Sequence, residues 1–270
     1  GLIAGPQSHL SDALVNAIPS GTSISAGGIE LSDHVAKVSL NGTLPSDDRG
    51  KQLMAWEISQ TLQRSGRVNS VEINVGGEVL PSSGLPSQPS FDLDSAVAFN
   101  SNGLVRIDGR SVSTRILPIA PSSSASLPAV SPVSSSLLAW REDDRLILVN
   151  SSTNATRVVD GSEGQYSPSI DRFGWVWDIP RGGNLRASRI DGQNLPIASE
   201  NQSLSGVSAV RISPDGARAL LLRQVGGSTS AWIAGIERRG SGEPIALTDP
   251  EPLAGLSTGV DDVSWAGRST

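Results

Sequence analysis

Two acidic runs, Glu142-Asp143-Asp144 and Asp261-Asp262, are the residues best suited to chemistry. Neighbouring carboxylates share protons, or hold a hard cation through their oxygens. A calcium loop sets oxygen ligands at alternating positions around a glycine turn, and neither run has that spacing. Both therefore read as solvated turn residues. Glycan cleavage would need two acids about 5–10 Å apart in a cleft, which keeps an envelope glycan-binding or glycan-cleaving protein as the alternative function. His9 and His34 are the two histidines, one ahead of a short helix and one in a turn. The chain has no cysteine, which excludes disulfides, thiolate catalysis and cysteine-ligated metal. Residues 91–270 lack histidine as well, so no Ser-His-Asp system can be assembled from them. There is no nucleophile elbow, phosphate loop or dinucleotide fingerprint. The expectation is a protein without catalytic residues, cofactor or metal, and not an enzyme.

The aromatic residues point to binding or to packing. Phe173, Trp175 and Trp177 alternate, so they share one face of one strand. Such a row binds sugars or partner proteins when exposed. Where both faces of a sheet are covered it is core, and Trp140, Trp175, Trp177, Trp232 and Trp265 read that way. Trp56 differs, because it lies opposite the apolar stripe of its helix. It either packs against a neighbouring domain or stands as an anchor for a partner, and it is the one partner-binding candidate. Asn41, Asn150, Asn154 and Asn201 begin glycosylation-type triplets that a Ser/Thr-rich chain produces by chance.

Composition sets the frame for these residues. The 270-residue chain carries a net charge of −6, which disfavours nucleic acid as a partner. Its 29 glycines and 17 prolines describe a turn-rich, β-heavy protein. No apolar run is long enough to span a membrane. Gly1 directly precedes the apolar Leu2-Ile3-Ala4, which reads as a start inside a longer chain.

Residues 1–81 read as a mixed domain of helices and strands. Leu10, Leu14 and Ile18 suggest a short helix before Pro19. Strands are expected at 22–25, 28–31 and 35–40, the last two joined by Ser32-Asp33-His34. The clearest helix spans 47–64, capped by Ser46 or Asp47, with Met54, Ile58 and Leu62 as its apolar stripe. Val71, Ile73 and Val75 alternate as a strand, and Gly76-Gly77 turns it back. Residues 82–90 form a Pro/Ser-rich, semi-stiff linker.

Residues 91–270 carry a repeat. Ser131-Pro132, Ser167-Pro168 and Ser213-Pro214 each precede an apolar strand, with prolines 36 and 46 residues apart. Periods near 40 with short strands mark β-propeller blades. Asp108-Gly109, Asp191-Gly192 and Asp215-Gly216 are expected turns, and 121–132 an inter-blade loop. About four blades are expected between 91 and 260. Val260-Asp261-Asp262-Val263-Ser264-Trp265 echoes Val207–Ile212 and begins a fifth. Either part of the ring is missing, or an early strand near 91–107 closes it.

The segments Leu2-Ile3-Ala4-Gly5-Pro6, Leu10…Ala17-Ile18-Pro19, Met54–Leu62 and Val71–Val75 together resemble a GerMN domain, named from spore-germination proteins. With the linker and a propeller carrying Phe173–Trp177, the whole chain resembles the LpqB lipoproteins of actinobacteria. The resemblance implies an α+β N-terminal domain, with helices on a small antiparallel or mixed sheet, followed by an all-β propeller. It implies an extracytoplasmic protein held at the cell membrane by a lipid on an N-terminal cysteine. That cysteine would precede residue 1, as would the usual first strand of the GerMN domain and a second copy of its fold. The implied role is accessory to a two-component system, with the extracellular domain of an MtrB-like sensor histidine kinase as partner. No catalytic motif comes with the resemblance.

Overall fold

A computed structural model describes all residues except 1, 8–9, 82, 86, 88–89, 93–94, 102, 109–110, 116–121, 163–165, 181–182, 254–258 and 268–270. The chain forms two compact units, residues 1–89 and 90–270.

Unit 1 is α+β. Strands β1 (Ser23–Ser32), β2 (Val35–Asn41), β3 (Ser70–Val75) and β4 (Glu78–Val79) lie in that spatial order. β2 and β3 are parallel, joined through helix α1 (Asp48–Gln63). Asp47 caps the helix by accepting from the Gly50 amide at 2.7 Å. Met54 and Ile58 bury against Val38, Leu40, Ile73 and Val75. The expected helix over 10–18 is instead a turn, with the Leu14 amide donating to Leu10 O. Leu10 and Ile18 bury while Leu14 between them is only half-buried, so the segment has no continuous apolar stripe for a helix to dock. The two expected strands at 22–25 and 28–31 are one strand with a bulge between Ile24 and Ile29. Gly28 supplies its positive φ of 67°.

Unit 2 is an all-β propeller arrangement. Its first blade is β5 (Ser95–Asn100), β6 (Gly103–Asp108) and β7 (Ser111–Arg115). The second is β8 (Ala125–Val130), β9 (Leu137–Glu142), β10 (Arg145–Asn150) and β11 (Ala155–Asp160). The third is β12 (Ser169–Ile170), β13 (Val176–Asp178), β14 (Leu185–Ser188) and β15 (Asn194–Ile197). The fourth is β16 (Val207–Ile212), β17 (Arg218–Val225), β18 (Ser228–Arg238) and β19 (Pro244–Leu247), with β20 (Glu251–Pro252) also on β18. Apolar layers join successive blades. Leu104 meets Trp140 and Val149, Val159 clusters with Ile170 and Val176, and Trp175 and Trp177 cluster with Val210, Leu221 and Ile236.

Three expectations change here. The stretch near 91–107 forms part of a blade of its own and packs on the second blade. Residues 125–130 of the expected loop are strand β8. Pro128 is tolerated because β8 is the edge of its sheet, where no amide is needed for pairing. The third change is the phase of the repeat. Directly after the inner strand, the Ser131 amide donates to Leu137 O, the Asp171 amide to Trp175 O and the Ser213 amide to Arg218 O. The equivalent positions are therefore Pro132, Arg172 and Pro214, 40 and then 42 residues apart. Ser167-Pro168 lies four residues earlier and matches Pro128 instead. Val260 and Val263 pack on Ala209, Leu222 and Ala231 of the fourth blade, although 260–265 is not a strand.

The third and fourth blades meet around Asp171, which is fully buried. Its Oδ1 accepts from the amides of Phe173 and Trp175, both at 2.9 Å. Its Oδ2 accepts from Trp177 Nε1 at 3.0 Å and from Arg238 Nη2 at 2.8 Å. Burial pushes the Arg238 guanidinium below its usual range while Asp171 pulls it back up. Arg238 also lies 4.6 Å from the Phe173 ring centroid and donates to the carbonyls of Gly216 and Gly242. A Cβ on Gly242 would sit 2.2 Å from Phe173 Cδ1, and its φ is 83°.

Asp171→Ala strands the buried Arg238 and should cost unit 2 about 3–5 kcal/mol. Gly242→Ala combines a left-handed backbone with overpacking and should cost about 2–4 kcal/mol. Urea unfolding followed by tryptophan fluorescence checks both, because five of the six tryptophans lie in unit 2.

Candidate interaction site at the propeller axis

The inner strands β5, β8, β12 and β16 are each the edge of a sheet, so none pairs across the axis in a sheet. Between them lies a cavity of 330 Å³. Val97, Val130, Ile170 and Ile212 supply apolar wall, and Pro128, Pro132, Pro168 and Pro214 remove amide donors from it. Ser169 is the hydroxyl side chain of the lining, and its Oγ already accepts from the Ile212 amide at 2.9 Å. Among the described residues, the wall thus offers backbone polarity and apolar bulk.

The first residues of unit 2 meet this lining. The Asp92 amide donates to Pro132 O at 2.8 Å. Its carboxylate lies 3.7 Å from Arg106 Nη1. The Arg172 guanidinium lies 5.8 Å from the Phe91 ring centroid and 5.1 Å from that of Phe173.

The acidic runs stay apart from the axis. Glu142 accepts from Trp140 Nε1, Asp143 pairs with Arg145 at an exposed hairpin tip, and Asp262 pairs with Arg211. None of the cavities described in either unit is lined by two carboxylates. The Phe173-Trp175-Trp177 row belongs to the core between the third and fourth blades. Trp140 is buried too, while Trp232 and Trp265 are half-buried. His34, at φ 64°, turns β1 into β2 with Nδ1 3.1 Å from Arg67 O. His9 lies outside the described residues. Trp56 is half-buried on α1, its Nε1 enclosed without a hydrogen-bond partner among the described residues.

Unit 1 has an apolar trough of 460 Å³ that sequence reasoning missed. Leu2, Ile3, Ile24, Ile29, Ile58 and Leu62 contribute to its lining. Thr61 turns its hydroxyl back to Glu57 O at 2.8 Å. In an unbroken strand Ile24 and Ile29, five apart, would face opposite ways; the bulge brings both to the trough. The Gly27-Gly28 pair, at the junction of the expected strands 22–25 and 28–31, is the available signal.

Arg141 is a second feature that the sequence did not announce. It is only 5% exposed and donates to Ser162 Oγ and Tyr166 O. Asp178 accepts from Ser162 and is bidentate to Arg186. Burial pushes the Arg141 guanidinium below its usual value, and the Asp178 charge offsets part of that. This is a braced inter-strand network, well sealed from solvent.

Comparison with known proteins follows the same division. Residues 102–270 match the family model described as the lipoprotein LpqB beta-propeller domain. Residues 1–81 match the model described as sporulation and spore germination. No curated protein matches. Among solved structures, TolB from Acinetobacter baumannii is 17% identical with a TM-score of 0.38, covering 68% of this chain and 59% of that one. Dipeptidyl peptidase 4 from Porphyromonas gingivalis is 9% identical with a TM-score of 0.36, covering 60% of this chain and 31% of that one. The chain thus spans less than two thirds of the length of either. The family match covers more than half of this chain and lies within unit 2. The chain belongs to the LpqB lipoprotein β-propeller family.

Proposed function

We propose that this chain is a non-enzymatic, extracytoplasmic interaction module of an actinobacterial envelope lipoprotein, accessory to a two-component sensor histidine kinase of the MtrB type. The observation that carries the reading is the pairing of a spore-germination-type domain with an LpqB-type propeller in one chain. The chemistry of the two units supports it. The conspicuous aromatic row and the buried ions are committed to packing, and the axial cavity presents backbone edges and proline rings. Such surfaces bind polypeptides through shape and main-chain hydrogen bonds. In this reading a lipid on a cysteine outside these residues holds the protein at the membrane, and both units face the kinase's external domain.

Binding of the chain to the purified extracellular domain of the kinase from its own organism tests this directly. Calorimetry or interferometry should give a Kd at or below about 100 μM. No interaction at that concentration, for this chain and for the lipid-anchored protein alike, overturns the reading.

A further inference from the structure

We propose that the axial mouth of unit 2 is a peptide site reading an aromatic residue followed by a carboxylate, and that Phe91-Asp92 fills this site from the same chain. The inference rests on unit 2 acting by binding, and is independent of which kinase is the partner.

The argument starts from three equivalent positions. Pro132, Arg172 and Pro214 each follow the buried residue that closes an inner strand, so the fold sets them around one mouth. Two of the three hold the entering chain. Pro132 offers its carbonyl to the Asp92 amide, a main-chain contact that any extended peptide reproduces. Arg172 stands where the other two blades have proline, and it offers its guanidinium to Phe91. A cation over an aromatic face contributes about 0.5–1 kcal/mol at an exposed site, and more where water is excluded.

Arg172 is itself braced. Phe173 lies under it, and Gly216 of the next blade comes so close that a Cβ there would sit 3.0 Å from Arg172 Cγ. A side chain pre-set in this way loses little freedom on meeting a ring. Arg106 then faces the carboxylate that follows, at 3.7 Å, so the order aromatic-then-acidic matches two cations held by different blades. Beyond Pro132 the 330 Å³ cavity continues along the axis, with room for further apolar side chains of a longer ligand.

Residues 91–92 therefore show the chemistry of the occupant. They are also joined to unit 2, which gives them an effective concentration in the millimolar range. A partner peptide carrying the same pair must displace them.

The test uses the full chain and a fluorescein-labelled peptide copying residues 89–93, Pro-Ser-Phe-Asp-Leu, read by anisotropy. Phe91→Ala with Asp92→Ala should bind it at least tenfold more tightly than the unaltered chain. A peptide with alanine for phenylalanine should not bind, and adding Arg172→Ala should erase the gain. Should the alanine pair fail to fold, Phe91→Leu with Asp92→Asn, which keeps bulk and backbone, should show a smaller gain of about threefold. Equal binding by altered and unaltered chains, or binding that ignores the phenylalanine, overturns the proposal. No kinase enters the assay, so its failure leaves the kinase reading standing, and a failed kinase assay leaves this one standing.

Discussion

Unit 2 depends on a carboxylate that water never reaches. Asp171 satisfies two amides, an indole and a guanidinium at once, and those donors come from two blades. An isolated buried charge is costly, and here four donors hold it. The consequence is positional. Phe173 and Trp175 are held by their backbones, Trp177 by its ring, and Arg238 by its charge. The apolar layer between the third and fourth blades then has one arrangement, with both large indoles fully buried. Burying side chains of that size contributes about 1.5–3 kcal/mol each, and the polar hub decides where that contribution is collected.

Much of this was legible in the residues. The Met54-Ile58-Leu62 stripe with Asp47 ahead of it specified α1, because cap chemistry and a 3.6-residue period agree there. Hairpin tips such as Asp143-Asp144 were equally plain, since polar pairs between apolar runs leave the chain one way to turn. The mixed helix-and-strand reading of unit 1 followed from signals of this kind, and the propeller class from the spacing of the Ser-Pro repeats. Other features were not legible. Leu10, Leu14 and Ile18 have helical spacing, yet only the first and last find a core to enter. The repeat was read from its most visible dipeptide, and proline occurs at two distinct positions of the inner strand. What aligns the blades is a buried polar residue closing a turn, serine in two cases and aspartate in the third, and the eye does not group those.

The site shows the same division. Trp56 stood out by its face of the helix, whereas Phe91 and Arg172 are unremarkable in a list of residues. Their relation is purely spatial, 81 positions apart along the chain and joined by the stacking of blades. The acidic runs stood out by composition, and the fold spends them on exposed turns and single ion pairs. Charge density along a sequence says where a chain is soluble; it does not say where charges converge.

The double glycine of β1 carries a further implication. The bulge around it sets five steps along β1 against two along β2 and so resets the alternation of side chains, bringing Ile24 beside Ile29 over the trough. Ironing the bulge out, with all five steps from Ile24 to Ile29 kept in regular pairing, would restore the simple two-residue rhythm. Ile24 would then swing to the opposite side of the sheet, so that the oily lining of unit 1 hangs on the path of one stretch of backbone and not on any side chain within it.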